Sequence, residues 1–212
     1  EILIQITENI NQNPLLNAII HSCNKIGKRN HIPQLYCEQL GELLQNRLQQ
    51  AYMKLQSIQL IQSLENSILL LDHFQTEFYE EIERIFIILD ILYPDEMTRI
   101  YIHRLQSTDR SMIANVLEII ENRYPEKIRE VLIPIIDARS IEEKLNSGAP
   151  YIKSSIHSID DIIIDLVESE NLWKSALSID AIINNQLKSL CAKIDWKQAL
   201  KNPFIQELID KK

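Results

Sequence analysis

Apolar positions recur at helical spacing along most of the chain. In Ile82 to Tyr93 (IERIFIILDILY) they fall at 82, 85, 86, 89, 92 and 93, the stripe of a buried helix face. Ile87, Ile88 and Ile91 make the opposite side apolar as well. A helix that is apolar nearly all round must be covered on several sides. This stretch therefore predicts a central helix, with amphipathic helices before and after it.

The same spacing predicts the rest in order. Residues 1–10 (EILIQITENI) make a short amphipathic piece. Asn13-Pro14 reads as a cap with proline at the first helical position, opening a helix from Leu15 to Ile26 that stops at Gly27. From Leu35 to about Leu71, Leu40, Leu43, Leu44, Leu48, Ala51, Tyr52, Leu55, Ile58 and Ile61 keep one stripe, too long for an ordinary helix, so a break is expected near Ser63–Ser67. The next helix carries Phe74 and Phe78 into the central stretch and ends before Pro94. Shorter helices follow at Asp95 to Leu105, Met112 to Asn122 with Asp109 as cap, and Glu126 to Asp137. Pro134 should kink or end the last of these. Ile141 to Leu145 is a short helix, NSGAPY a loop, and Ser158 the cap of a helix reaching about Ser169, with Asp160 and Asp161 in its first turn. Leu172 to Leu187 and two short helices, 196–201 and 204–210, complete the chain. The picture is all-α, with the longer helices in the N-terminal half: a long-helix region over 1–94 and helix pairs over 95–212, forming one continuous elongated domain.

Composition narrows the function classes. Three glycines in 212 residues leave little for hairpins or phosphate-cradling loops, and no Gly-x-Gly or Gly-Lys-Ser/Thr pattern occurs. The net charge of −8 disfavours a nucleic-acid binder, which needs a basic face. Lys25, Lys28, Arg29 and His31 read as a solvated loop rather than a basic patch. Cys23, Cys37 and Cys191 are too few and too scattered for a disulfide framework and fit a reducing, cytoplasmic setting. No uncharged apolar run reaches the ~18–20 residues that span a bilayer; Ile85 to Pro94 is short and carries Asp90. The chain opens on Glu1 rather than Met, as expected of an excerpt from a longer protein.

Two segments align with each other. DRSMIANVLEII (109–120) can be laid on NLWKSALSIDAI (171–182), matching Ala114 with Ala176, Leu117 with Ile179 and Ile120 with Ile182. NPLLNAIIHSCNKIG (13–27), with Ala18 as its small residue, is a weaker third copy. A small residue here would let a partner helix approach, and units of this kind must stack to bury their apolar faces. On these residues the chain resembles HEAT-repeat α-solenoids, stacks of antiparallel helix pairs. The tract LYPDEMTRIYIHRLQSTDRSMIANVLEIIENRYPEKIREVLIPIID (92–137), with LVESENLWKSALSIDAI (166–182), is similar to the soluble HEAT-like domain of bacterial nucleotide-translocase-like (major-facilitator-like) transporter proteins, some of which also carry a cyclic-nucleotide-binding module. The likeness covers roughly residues 13–185 and rests on Asp109-Arg110, Ala114-Asn115, Leu117-Glu118, Pro134 and Trp173. This chain departs from that arrangement in having no membrane segment. The resemblance implies a scaffold or regulatory module and carries over no catalytic residue or cofactor.

Candidate sites weigh toward structure. His21, Cys23, His31 and Cys37 lack zinc-ligand spacing: His21 and Cys23 lie two apart on a helix and face different ways. His157, Asp161, Asp165 and Glu168 share a helix face and read as a solvated row, without a positioned nucleophile. Asp90 and Arg84 are charges in the most apolar helix, and Asp90 is expected to meet Arg84, Arg104 or Arg123, because a buried unpaired carboxylate is costly. Tyr93, Tyr101, His103 and Tyr124 cluster after the central helix and are the expected partner-binding surface. The function expected is a non-catalytic protein-interaction or regulatory scaffold of a larger bacterial protein on the cytoplasmic face of a transporter-like membrane partner. The alternatives are a helical ligand-binding or enzymatic domain and a secreted effector that binds a host protein.

Overall fold

The computed structural model describes residues 34–93, 110–151 and 158–196, with Ser22, Ile205 and Gln206. Among the described residues the regular structure is helical throughout, without strands. Helix α1 is Gln34–Ile61, α2 Ile68–Leu92, α3 Arg110–Arg123, α4 Glu126–Ile136, α5 Ile141–Gly148 with a 3-10 turn over Ala149–Tyr151, α6 Ile159–Val167, α7 Leu172–Asn184 and α8 Lys188–Cys191. The helices expected at 1–10, 15–26 and 95–105, the cap at Asp109, and most of 196–201 and 204–210 lie outside the described residues. The chain divides into two compact units: Glu1–Tyr52 with Phe78–Lys153, and Met53–Glu77 with Ser154–Lys212. Both long helices contribute to each unit.

The expected break comes at Gln62–Ser67. Its serines fold back on nearby carbonyls: Ser63 Oγ donates to Leu60 O at 2.6 Å and Ser67 Oγ to Leu64 O at 3.1 Å.

In the first unit the central stretch is buried on every side. Ile82, Ile85, Phe86 and Leu89 from the stripe are in the core, and so are Ile87, Ile88 and Ile91. Leu40, Leu44 and Leu48 of α1 are buried too. Tyr52 is fully buried, and its hydroxyl donates to Val131 O of α4 at 3.0 Å, so the polar tip is satisfied inside the core. Pro134 sits near the end of α4, which stops two residues later at Ile136. The half-buried Lys144 of α5 donates to Ile135 O at 2.9 Å, closing that helix end. Burial pushes the Lys144 ammonium below its ordinary pKa, against an upward pull from Asp137. Ser140 and Glu143 form a full capping box at the start of α5. Here the expectation of a loop over NSGAPY is corrected: α5 continues through Gly148 and only then tightens to the 3-10 turn. The reason is tertiary, because Gly148 is buried with its backbone against the Tyr52 ring.

In the second unit Ile163, Val167, Ala176, Ile179, Ile182 and Leu190 form the core, with Ile194 and Ile205. Ser158 caps α6 as expected, accepting from Asp161 N–H. Asn171 Oδ1 caps α7, accepting from both Trp173 and Lys174 N–H. The small-residue match between the two look-alike segments does not carry through to packing, since Ala176 is buried and Ala114 exposed. Helix α7 also ends at Asn184, earlier than the expected Leu187. Leu187 N–H reaches back to Ile182 O and Gln186 N–H to Ile183 O, a Schellman closure with Gln186 at φ 53 in the position that glycine usually takes. The missing glycine hid this stop, and the short α8 beyond it was not expected.

Asn171→Ala should destabilise the second unit by about 1 kcal/mol, because two first-turn amides lose their acceptor. Urea unfolding reads the loss, and hydrogen exchange should quicken at Trp173 and Lys174. Unchanged exchange at those amides would mean that the cap contributes little.

Candidate functional site

The residues expected to bind a partner separate into two groups. Tyr93 and Tyr124 do come together, as an edge-to-face pair with centroids 5.7 Å apart. Tyr124 is only 4% exposed, however, so it stands in the core and offers no surface to a partner. Tyr93 is half-buried. Arg123 ties the pair down: its guanidinium donates to Tyr93 O at 2.7 Å, just past the C-terminus of α2, and lies 5.9 Å from the Tyr124 ring centroid. Tyr101 and His103 lie outside the described residues. Beside the pair, Asn115, Glu118, Ile119, Asn122 and Arg123 of α3 line an open cleft of about 550 Å³.

Of the four residues that lack zinc-ligand spacing, His21, Cys23 and His31 lie outside the described residues, and Cys37 is an exposed thiol. Among the described residues no group of His, Cys, Asp and Glu is arranged to hold a metal ion. In the acidic row, His157 is outside the described residues. Asp161 accepts from the Ser158 hydroxyl at 2.7 Å, Glu168 accepts from Asp195 N–H at 2.9 Å, and Asp165 is exposed. Asp161 thus steadies the cap hydroxyl of α6, and Glu168 holds a backbone amide.

Buried charge gathers at α2. Arg84, 1% exposed, donates to Glu81 at 2.6 Å and to Glu80 at 3.0 Å, and Arg47 of α1 approaches Glu81 at 3.6 Å. Asp90 is buried as well. The second unit has a cluster of its own around Glu77. Lys54 Nζ of α1 bonds Glu77 Oε2, Lys174 Nζ of α7 lies 2.5 Å from Oε1, and His73 Nε2 stands 3.5 Å from Oε1. Three helices thus meet on one carboxylate. Lys54 also lies 5.1 Å from the Phe74 ring centroid, so its stem and charge are both engaged. Burial by itself would push the Glu77 carboxyl up. His73, Lys54 and Lys174 outweigh it and hold the group well below the usual carboxylate range.

Sequence reasoning did not single out this cluster. One signal was present: Glu77 lies three residues after Phe74, inside the period of a buried face. A charge there needs a partner, but the spacing does not say which one.

Among the described residues, exposed large apolar side chains occur in adjacent pairs at Ile68 and Leu69 at the start of α2 and at Leu172 and Trp173 at the start of α7, and singly at Tyr79 and Met112. Trp173 is 60% exposed and Leu172 41%. The rest of α7 is buried nearly all round, including Ser175, Ala176, Leu177, Ser178 and Ile179. Among the described residues no helix is long and apolar enough to cross a membrane. Compared with known proteins, the chain matches no family model, no curated protein and no solved structure.

Proposed function

We propose that this chain is a non-catalytic protein-interaction or regulatory module: a HEAT-like stack of helix pairs belonging to a larger bacterial protein, set on the cytoplasmic face of a transporter-like membrane region. The observation that carries the interaction reading is Trp173. Its indole stands largely in solvent in the first turn of a helix that otherwise forms the core of its unit. Tryptophan buries 150–250 Å², roughly, when it is covered, and it is the side chain most often found as an energetic anchor of interfaces. Leu172 extends the same apolar turn. Helices adjacent in sequence also pack on each other, α3 on α4 and α4 on α5 in the first unit, α6 on α7 in the second, as a stack of helix pairs requires. The setting rests on the likeness of 92–137 and 166–182 to transporter-associated domains.

The test is affinity capture with quantitative identification, comparing the chain with its Leu172→Ala/Trp173→Ala variant. Both positions are exposed, so helix content should be unchanged. A protein enriched by the parent chain and lost at least about tenfold with the variant supports the reading, as expected when a central aromatic anchor is removed. Equal recovery by parent and variant, or steady turnover of a substrate by the purified chain, overturns it.

A further inference from the structure

The ion clusters of the described residues differ in balance. In the first unit Arg47 and Arg84 face Glu80 and Glu81, two cations against two carboxylates. Lys193 pairs with Asp160 and Arg139 with Asp137, one to one. At Glu77 two lysines and a histidine ring meet a single carboxylate. The chain as a whole carries a net charge of −8, so a local surplus of cation runs against its overall balance.

That surplus has a physical consequence. Each ammonium carries three donors, and Glu77 takes one from each lysine. The Lys54 and Lys174 side chains remain 23% and 24% exposed, so neither is sealed in the core. His73 is different: its Nε2 is itself buried, so the ring backs the cluster without offering that donor to solvent. The two ammonium groups each sit on one of the two oxygens of the same carboxylate, which holds both charges at one place. Lys174 adds to the positive potential, because it lies in the first turn of α7, where the helix dipole disfavours a cation. The Trp173 and Lys174 amides are already held by Asn171, so side chains, not the helix end, would bind the ligand.

We propose that Lys54 and Lys174 form an oxyanion-binding site, with Glu77 as its internal counter-ion and the His73 ring behind it, and that its ligand class is phosphate or a small phosphate monoester. The site stands apart from the interaction reading and does not depend on it.

Inorganic phosphate, titrated into isotope-labelled protein at ionic strength fixed with chloride, tests this by NMR. Saturable shifts are expected at amides around Lys54, His73 and Lys174. Glu77→Gln removes the competing carboxylate and should tighten binding by on the order of tenfold. A cluster that only clamps helices would show no such gain. Lys174→Gln should weaken binding by about tenfold, and Lys54→Gln/Lys174→Gln should abolish saturation, with circular dichroism confirming helix content. If the double variant does not fold, the opposite signs of Glu77→Gln and Lys174→Gln still decide. Non-saturating drift, or equal responses in parent and single variants, overturns the site. Methyl phosphate in a parallel titration separates the sources: an equal response assigns the phosphoryl group as the ligand feature, and a response to phosphate alone assigns the free ion.

Discussion

Glu77→Leu should cost the second unit about 2–4 kcal/mol, because two lysines lose the carboxylate that compensates them. The figure is below that for a fully buried pair, since both lysines keep some solvent exposure and can swing outward. Replacing the whole set, Lys54→Met/Glu77→Leu/Lys174→Met, should restore most of the loss, as removal of every buried charge leaves none unpaired. Urea unfolding of the three proteins reads both effects. A Glu77→Leu protein within about 0.5 kcal/mol of the parent, the range of an ordinary surface substitution, would show that the cluster does not hold the helices together.

The same carboxylate sets a pH dependence. Its folded pKa is depressed, so the unfolded chain binds the proton more readily than the native one. The stability it contributes is therefore fully present above its ordinary value of 4.5 and drains away as pH falls below it. Stability between pH 6 and pH 3 should decline less in the triple variant than in the parent chain.

Gly148→Ala is the second large effect. A Cβ at this position would lie well inside contact distance of the Tyr52 ring, at Cε1, Cδ1 and Cζ. The ring cannot turn aside cheaply, being fully buried with its hydroxyl bonded to Val131 O at 3.0 Å. Overpacking of this kind costs roughly 1–3 kcal/mol, and Gly148→Ala should sit at the upper end in the first unit. Gly41 offers an internal control, because a Cβ there meets nothing within 4 Å. Gly41→Ala, inside α1, should stabilise by roughly 0.5–1 kcal/mol through helix propensity alone. Thermal unfolding that shifts both variants in the same direction would contradict the packing argument.

Much of the fold was legible because helical signals are local. The stripe from Leu40 to Ile61, the all-round apolar run after Ile82, the break at Ser63–Ser67 and the cap at Ser158 each lie within a few turns of chain, where spacing and capping chemistry act. The errors came where distant chain decides. NSGAPY carries turn residues, yet packing against Tyr52 draws Gly148 into α5. Which charges meet was likewise hidden: Lys174 reaches Glu77 from a helix roughly a hundred positions along the chain, and no local spacing announces it.

By itself the sequence determined that the chain is helical, which faces of its long helices are apolar, and where several helices begin. These follow from period, capping and the scarcity of glycine, properties of neighbouring residues. Only the tertiary structure decided which charges meet. Lys54 and Lys174 converge on Glu77 from separate helices, and Tyr52 bonds Val131 across 79 residues of chain. Periodicity says that a side chain is buried, but its partner is chosen by how helices pack, and that choice leaves no mark in local spacing.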